Sequence, residues 1–275
     1  MVGPGLALAS AVVYGFVDYA GGILSRRVHF ALVSLIGQLG GLVAAVLAAI
    51  VYPANAVRPV DLLWGCLSGV GSGVTMLYLN RGISRGALSV VLPVSAVTGV
   101  ALSVVCGVAF LGERPGVLAW AGIGVVLPAL WCIAGRRVIG ASSAVGDGLL
   151  ASCGVAVQYV ALGLASAGSG LWAVASGRVA AVLVLSAVTL HTAPRAASLA
   201  DQARAALIGA GAAVALALYL LAAQKQLLAI AVALASLYPA IPVLLGLTVH
   251  HEKVTSLQTL GLLAAGVAVV LLSVG

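Results

Sequence analysis

Two charged residues, Asp18 and Arg178, lie within long apolar segments of the chain, where a charge is energetically unfavourable. Asp18 is the carboxylate that lies well inside such a segment. Intramembrane carboxylates relay protons in many pumps and transporters, so Asp18 is a candidate proton-coupling residue. The alternative is a structural role, either as a partner for Arg178 or as a helix-end group that reaches water. Arg178 could hold an anionic group of a solute through the planar fork of its guanidinium, or form an inward structural ion pair.

Other polar side chains within apolar segments are candidate solute contacts together with Asp18 and Arg178. They are Tyr14, Tyr78, Gln158, Tyr159, Tyr219 and Tyr238. For each tyrosine alone, packing or a place at the membrane–water interface is the more common role. Tyr78 and Tyr219 occupy matching places in two similar halves of the chain, so we expect them to face each other across a cavity.

Prolines interrupt two of the apolar segments, Pro93 in one and Pro239 with Pro242 in the other. A proline removes an N–H donor from the helical hydrogen-bond ladder, so these positions are candidate gates, with simple kinking an equally good interpretation. Glu113 and Glu252 lie between apolar segments. They are predicted to be structural, because an acid there complements the positive end of the next helix.

Several kinds of chemistry have no motif in the sequence. The chain has no GxxxxGK[ST] loop for nucleotide phosphates, no HExxH zinc motif and no GxSxG nucleophile motif. The four cysteines form no CxxC pair, and the histidines show no ligand spacing. We therefore predict a protein that is not an enzyme and that uses no metal or cofactor.

The elements that must position these residues follow from composition. Of 275 residues, 63% are hydrophobic and 7% are charged, and the mean hydropathy is +1.24. A soluble domain has about 25% charged residues, so lipid must surround most of this chain. A helix that crosses the bilayer takes about 20 residues. The apolar segments predict ten such helices, over residues 4–25, 30–52, 61–80, 87–112, 116–135, 147–167, 170–190, 205–223, 227–249 and 256–274.

The chain also repeats itself at a nearly constant offset. Leu8-Ala9-Ser10 returns as Leu150-Ala151-Ser152, Gly37-Gln38 as Gly177-Arg178, Tyr78-Leu79 as Tyr219-Leu220, and Glu113 as Glu252, at offsets of 142, 140, 141 and 139. The repeat predicts two five-helix units, residues 1–137 and 138–275. Because five is odd, the second unit enters the membrane from the opposite side, which makes an inverted repeat. Gln38 is predicted to be a structural polar group at the same depth as Arg178.

Charge in the loops bears on location. The net charge of +7 is spread singly or in pairs between apolar segments, which indicates attraction to anionic lipids rather than to nucleic acid. Ten helices place both termini on the same side. Loops after odd-numbered helices carry nine Lys and Arg residues and loops after even-numbered helices carry three, so the positive-inside rule predicts termini outside. A bacterial inner membrane is the expected location.

Three stretches resemble EamA-domain proteins of the drug/metabolite transporter superfamily. They are VYGFVDYAGGILSRR in the first helix, RGISRGALSVVLPVSAVTGV followed by LGERP, and LASLYPAIPVLLGLTVHHEKVTSLQTLGLLAAGVAVVLL near the end. The resemblance covers essentially the whole chain as two EamA-like units. It implies ten helices with a central cavity between the halves, and transport of amino acids, other metabolites or drugs, often outward. It also implies termini inside, in conflict with the charge rule.

The sequence therefore predicts a secondary transporter that moves a small solute by alternating access, with export as the expected direction. Protons are the candidate coupling ion. Two alternatives stay open, a passive facilitator or channel and a membrane-embedded enzyme that acts on lipid-linked substrates. The enzyme is the weaker alternative, because the charged residues are scattered and no loop holds more than one acid.

Overall fold

The computed structural model describes residues 2–84, 88–134, 142–192, 197–241, 244–245 and 255–274. These ranges hold ten α-helices and no strand. The helices are α1 (Val2–Ser25), α2 (Phe30–Val51), α3 (Pro59–Ser84), α4 (Leu88–Phe110), α5 (Val117–Ala134), α6 (Ser142–Gly163), α7 (Trp172–Thr192), α8 (Leu199–Ala223), α9 (Leu228–Ala235) and α10 (Ser256–Val274). A short 3₁₀ turn, Ala167–Ser169, precedes α7.

The protein is an all-helical, multi-pass membrane protein. Seven of the described helices, α1, α2, α3, α6, α7, α8 and α10, are long and apolar enough to cross a bilayer, and shorter apolar stretches lie within α4 and α5. Their outward faces carry large apolar side chains such as Leu63, Leu183 and Leu207, which are 68%, 66% and 72% exposed. Side chains of this kind are stable against lipid and not against water.

Local sequence explains where several helices begin. The Ser198 hydroxyl accepts a hydrogen bond from the backbone N–H of Asp201 and so caps α8. Thr255 and Gln258 exchange hydrogen bonds across the first turn of α10, which is a capping box. The predicted ninth helix ends early: α9 stops at Ala235, and a turn over residues 236–239 brings the buried Pro239.

The predicted matching breaks at the prolines are not both present. Helix α4 continues through position 93, five residues after its first residue, so Pro93 removes one N–H donor without ending the helix. The Pro93 side chain is not among those described. Pro242 and Glu252 lie outside the described residues.

The helices from the two ends of the chain are interleaved. Helix α3 packs mainly on α6 and α7, whereas α8 packs mainly on α1 and α2. Helix α2 also packs on α7, α4 on α9, and α5 on α10. The third helix of each half is thus buried against the first two helices of the other half.

Glycines allow the closest of these approaches. A Cβ atom on Gly69 of α3 would meet the carbonyl oxygen of Gly177 in α7, and one on Gly209 of α8 would meet that of Gly37 in α2. Both pairs bring backbone onto backbone, the packing that small residues permit between membrane helices. The α3–α7 contact is matched by the α8–α2 contact at an offset of 140 residues.

Replacing Gly69 with alanine is expected to destabilise the protein strongly, because the new methyl group meets rigid backbone rather than a movable side chain. Overpacking of this kind costs about 1–3 kcal/mol, or more where the backbone must shift. The matched control is Gly124→Ala on α5, where a Cβ atom meets nothing within 4 Å. Thermal unfolding of the two purified variants should separate them, and equal melting temperatures would contradict the interleaved packing.

Both termini are expected on the same side of the membrane. Reporter fusions at residue 1 and residue 275 should therefore give the same location, because an even number of crossings returns the chain to its starting side. Opposite locations would exclude ten crossings. The positive-inside rule predicts that this shared side is outside.

Candidate functional site

Arg178 is buried in the seam between α2 and α7. Its side chain is 2% exposed, and its Nη1 donates to the Gln38 side-chain oxygen at 2.7 Å and to the Ser72 hydroxyl at 3.4 Å. The Gln38 amide nitrogen in turn donates to the Ser72 hydroxyl at 3.1 Å. Gln38 is therefore a direct partner of Arg178 as well as its counterpart in the repeat, because their two helices pack on each other.

The other edge of the Arg178 guanidinium has no partner. Nε and Nη2 are both buried, and neither makes a hydrogen bond in the described part of the chain. Leaving a buried charged donor unpaired is costly, and such groups are rare in folded proteins. This edge has the geometry that binds a carboxylate or phosphate through two parallel hydrogen bonds.

Arg178 lines a cavity of about 40 Å³. The other lining residues come from four helices: Tyr14, Val17, Asp18, Ser72, Thr75, Met76, Leu79, Gln158 and Ala212. A volume of this size has room for about three water molecules. Four of the predicted residues, Tyr14, Asp18, Gln158 and Arg178, thus line one cavity, although they are up to 164 positions apart in the sequence.

Asp18 lies half-buried in the wall of this cavity. No described cation lies within 4.0 Å of its carboxylate, and no described donor forms a hydrogen bond with it. The ion pair with Arg178, one of the structural alternatives for Asp18, is therefore not formed. The other four acids in the described residues, Asp61, Glu113, Asp147 and Asp201, all have protein partners.

Aromatic residues close one side of the cavity. The Gln158 amide donates to the Tyr14 hydroxyl at 2.9 Å, which joins α6 to α1. The ring of Tyr238, 4% exposed, lies 6.4 Å from that of Tyr14 between centroids. Tyr238 follows the early end of α9 at Ala235, so the interruption of this helix lies beside the site.

Tyr78 and Tyr219 do not face each other. The Tyr219 hydroxyl donates to the backbone oxygen of Tyr159 at 2.9 Å, and the rings of Tyr159 and Tyr219 are 4.3 Å apart. Tyr78 instead lies under the guanidinium of Arg81, 5.7 Å from its ring centroid. The reason is the interleaved packing: α3 and α8 rest on different helices, so residues matched by the repeat on these two helices lie apart.

Glu113 contacts a different helix from the one expected. Its carboxylate accepts hydrogen bonds from the backbone N–H groups of Leu228 and Ala229 at 2.6 and 2.9 Å. It therefore caps the N-terminus of α9 and not that of α5, which follows it in the chain. The contact is possible because α4, which precedes Glu113, packs on α9.

Two acid clusters at helix starts were not predicted from the sequence. The buried Asp61 of α3 accepts from Arg58 at 3.0 Å and from the hydroxyls of Ser166 and Ser169, both at 2.6 Å. Asp201 of α8 accepts from Arg27 and Arg204, both at 2.9 Å. We call these clusters the Asp61 latch and the Asp201 latch.

Each latch fastens the start of one helix to a loop of the other half. The signal for them was present in the sequence, since Asp61 and Asp201 are 140 residues apart, the same offset as Gln38 and Arg178. The two latches differ in charge. The Asp61 latch uses two serines from the facing loop, whereas the Asp201 latch uses an arginine.

Comparison with known proteins informs the fold alone. No family model and no curated protein matches the chain. A solved structure described as "Crystal structure of protein" matches with a TM-score of 0.72 and 14% sequence identity, over 97% of this chain and 97% of that chain. The same helical architecture thus occurs in a crystal structure of a protein with little sequence similarity.

Proposed function

We propose that the protein is a secondary transporter that carries a small solute through the cavity between its two halves. The observation that carries this proposal is the buried Arg178 guanidinium, whose unpaired Nε and Nη2 edge lies in a cavity that also holds the unpaired carboxylate of Asp18. A charge held inside a membrane protein without a protein partner is a functional site by default. Arg178 would bind an anionic group of the solute, and Asp18 would carry the coupling proton.

The helix packing supports an inverted repeat of two EamA-like units, residues 1–137 and 138–275. Exchanging the first five helices with the last five turns the α3–α6 and α3–α7 contacts into the α8–α1 and α8–α2 contacts, all of which are present. The Gly69–Gly177 and Gly37–Gly209 contacts obey the same exchange. Many secondary transporters have this architecture, with the solute site where the repeats meet.

The size of the cavity supports alternating access. A volume of about 40 Å³ is too small for a solute of amino-acid size, so binding requires the helices around it to separate. The site lies where α1, α3, α6 and α7 meet, and a relative motion of the two interleaved groups of helices would widen it. A continuous channel would need no such motion.

Transport by the full-length protein in vesicles tests the proposal. A screen of amino acids, other metabolites and toxic analogues should find a solute that moves against its concentration gradient when a proton gradient is imposed. Arg178→Ala should abolish this movement. Movement that only equilibrates the solute would favour a passive facilitator, and chemical conversion of a lipid-linked compound would favour an enzyme.

A further inference from the structure

We propose that the groove between α1 and α8, together with the basic pocket at its end, is a binding site for one anionic phospholipid. This site lies on the outer surface of the helices, away from the Arg178 cavity. Its argument is independent of which solute, if any, the protein transports.

The groove has the character of an acyl-chain site. It has a volume of about 390 Å³, and its walls are mainly apolar, with Ile23 and Leu24 on α1 and Leu207 and Ile208 on α8. Ile23 and Leu207 are 42% and 72% exposed, so the groove opens onto the lipid-facing surface. A surface of this kind offers a polar solute no hydrogen bonds but suits a hydrocarbon chain.

The end of the groove is basic. Arg27 and Arg204 line it, and Arg27 also lines a second pocket of about 570 Å³ whose other residues include Arg26, His29 and Ser198. The apolar groove and the polar pocket therefore meet at Arg27. An apolar channel that ends in a cationic pocket matches the two parts of a phospholipid, the acyl chain and the phosphate headgroup.

The cations outnumber the acid that holds them. The same Asp201 oxygen accepts from both Arg27 and Arg204, and Arg26 has no acid within 4.0 Å among the described residues. Three guanidiniums thus surround one carboxylate. An anionic group would be attracted to this excess charge, and both bonded arginines are still more than half exposed.

The second latch shows that the loop arginines are not required for the fold. The Asp61 latch ties α3 to its facing loop through Ser166 and Ser169, without a cation from that loop. The Asp201 latch could have been built in the same neutral way. Arg26 and Arg27 therefore supply charge beyond what fastening a helix needs, and a phosphate headgroup is the anion that the adjoining apolar groove selects.

Lipid binding to the purified full-length protein tests this site. Native mass spectrometry in neutral detergent should show retention of one phosphatidylglycerol in preference to phosphatidylcholine, and phosphatidylglycerol should raise the melting temperature more. Arg26→Gln with Arg27→Gln should weaken phosphatidylglycerol binding roughly 30-fold, on the order expected for two interfacial cations. The control, Arg114→Gln with Lys225→Gln, removes two exposed charges from other loops and should retain binding.

A second variant keeps the test decisive if the double arginine variant does not fold. Ala20→Phe fills the apolar groove without changing charge, and it should also abolish the preference for phosphatidylglycerol. Three results would overturn the proposal: undiminished binding in both variants, equal binding of phosphatidylcholine, or the same stabilisation by inorganic phosphate alone. The last result would mean a free-anion site rather than a lipid site.

Discussion

Arg178→Lys is expected to weaken the apparent affinity for an anionic solute at least about tenfold, because charge-assisted hydrogen bonds to a guanidinium contribute about 1.5–3 kcal/mol. Lysine keeps the positive charge but loses the planar edge of Nε and Nη2 that faces the cavity. It also loses the geometry of the 2.7 Å hydrogen bond to Gln38. Transport measured over a range of solute concentrations in vesicles gives the affinity.

Two further variants separate binding from structure. Gln38→Glu would place a carboxylate on Nη1 of Arg178, so it should stabilise the empty protein and still lower solute affinity. Arg114→Lys makes the same change as Arg178→Lys at an exposed loop position and should have no effect. If Arg178→Lys lowers expression and melting temperature without a selective effect on affinity, the role of Arg178 is structural.

Asp18→Asn is expected to abolish accumulation against a gradient while leaving exchange of solute across the membrane intact. Asparagine keeps the shape of the side chain but cannot take up or release a proton. Asp18 has no described partner in the protein, so the substitution removes no ion pair and should leave the fold unchanged. Paired measurements of uphill uptake and of exchange in the same vesicles test this expectation.

Asp18→Glu is the matched variant, because glutamate can still exchange a proton and should retain uphill transport at least in part. The coupling hypothesis would be abandoned if Asp18→Asn accumulated solute as well as the unaltered protein. Loss of both uphill transport and exchange would instead make Asp18 a solute-binding residue.

Hydropathy predicted most of the helices because lipid imposes a simple rule. Every crossing needs a long apolar segment, and polar residues mark the ends, so α1, α2 and α10 begin or end within two residues of the expected positions. The repeat also correctly placed Gln38 and Arg178 at matching depth. Their direct contact in the structure follows from the packing of α2 on α7.

The pairing of helices could not be predicted in the same way. In a membrane, an apolar face towards lipid and an apolar face towards another helix have similar composition, so the sequence does not say which helices touch. This is why the expectation for Tyr78 and Tyr219 was wrong and why Glu113 was assigned to α5. The offset of 140 residues between Asp61 and Asp201 would have revealed the latches, had the acids been compared across the repeat.

The interleaving of α3 and α8 has a consequence for biosynthesis. When the ribosome has released α3, the surfaces that will bury it, on α6 and α7, do not yet exist, so α3 must wait in the bilayer for about 80 more residues. A truncated chain that ends at residue 137 should therefore be recognised as unfolded and degraded. Residues 1–137 and 138–275 made as two separate chains in one cell should rescue each other, because each half supplies the surface on which the other completes its folding.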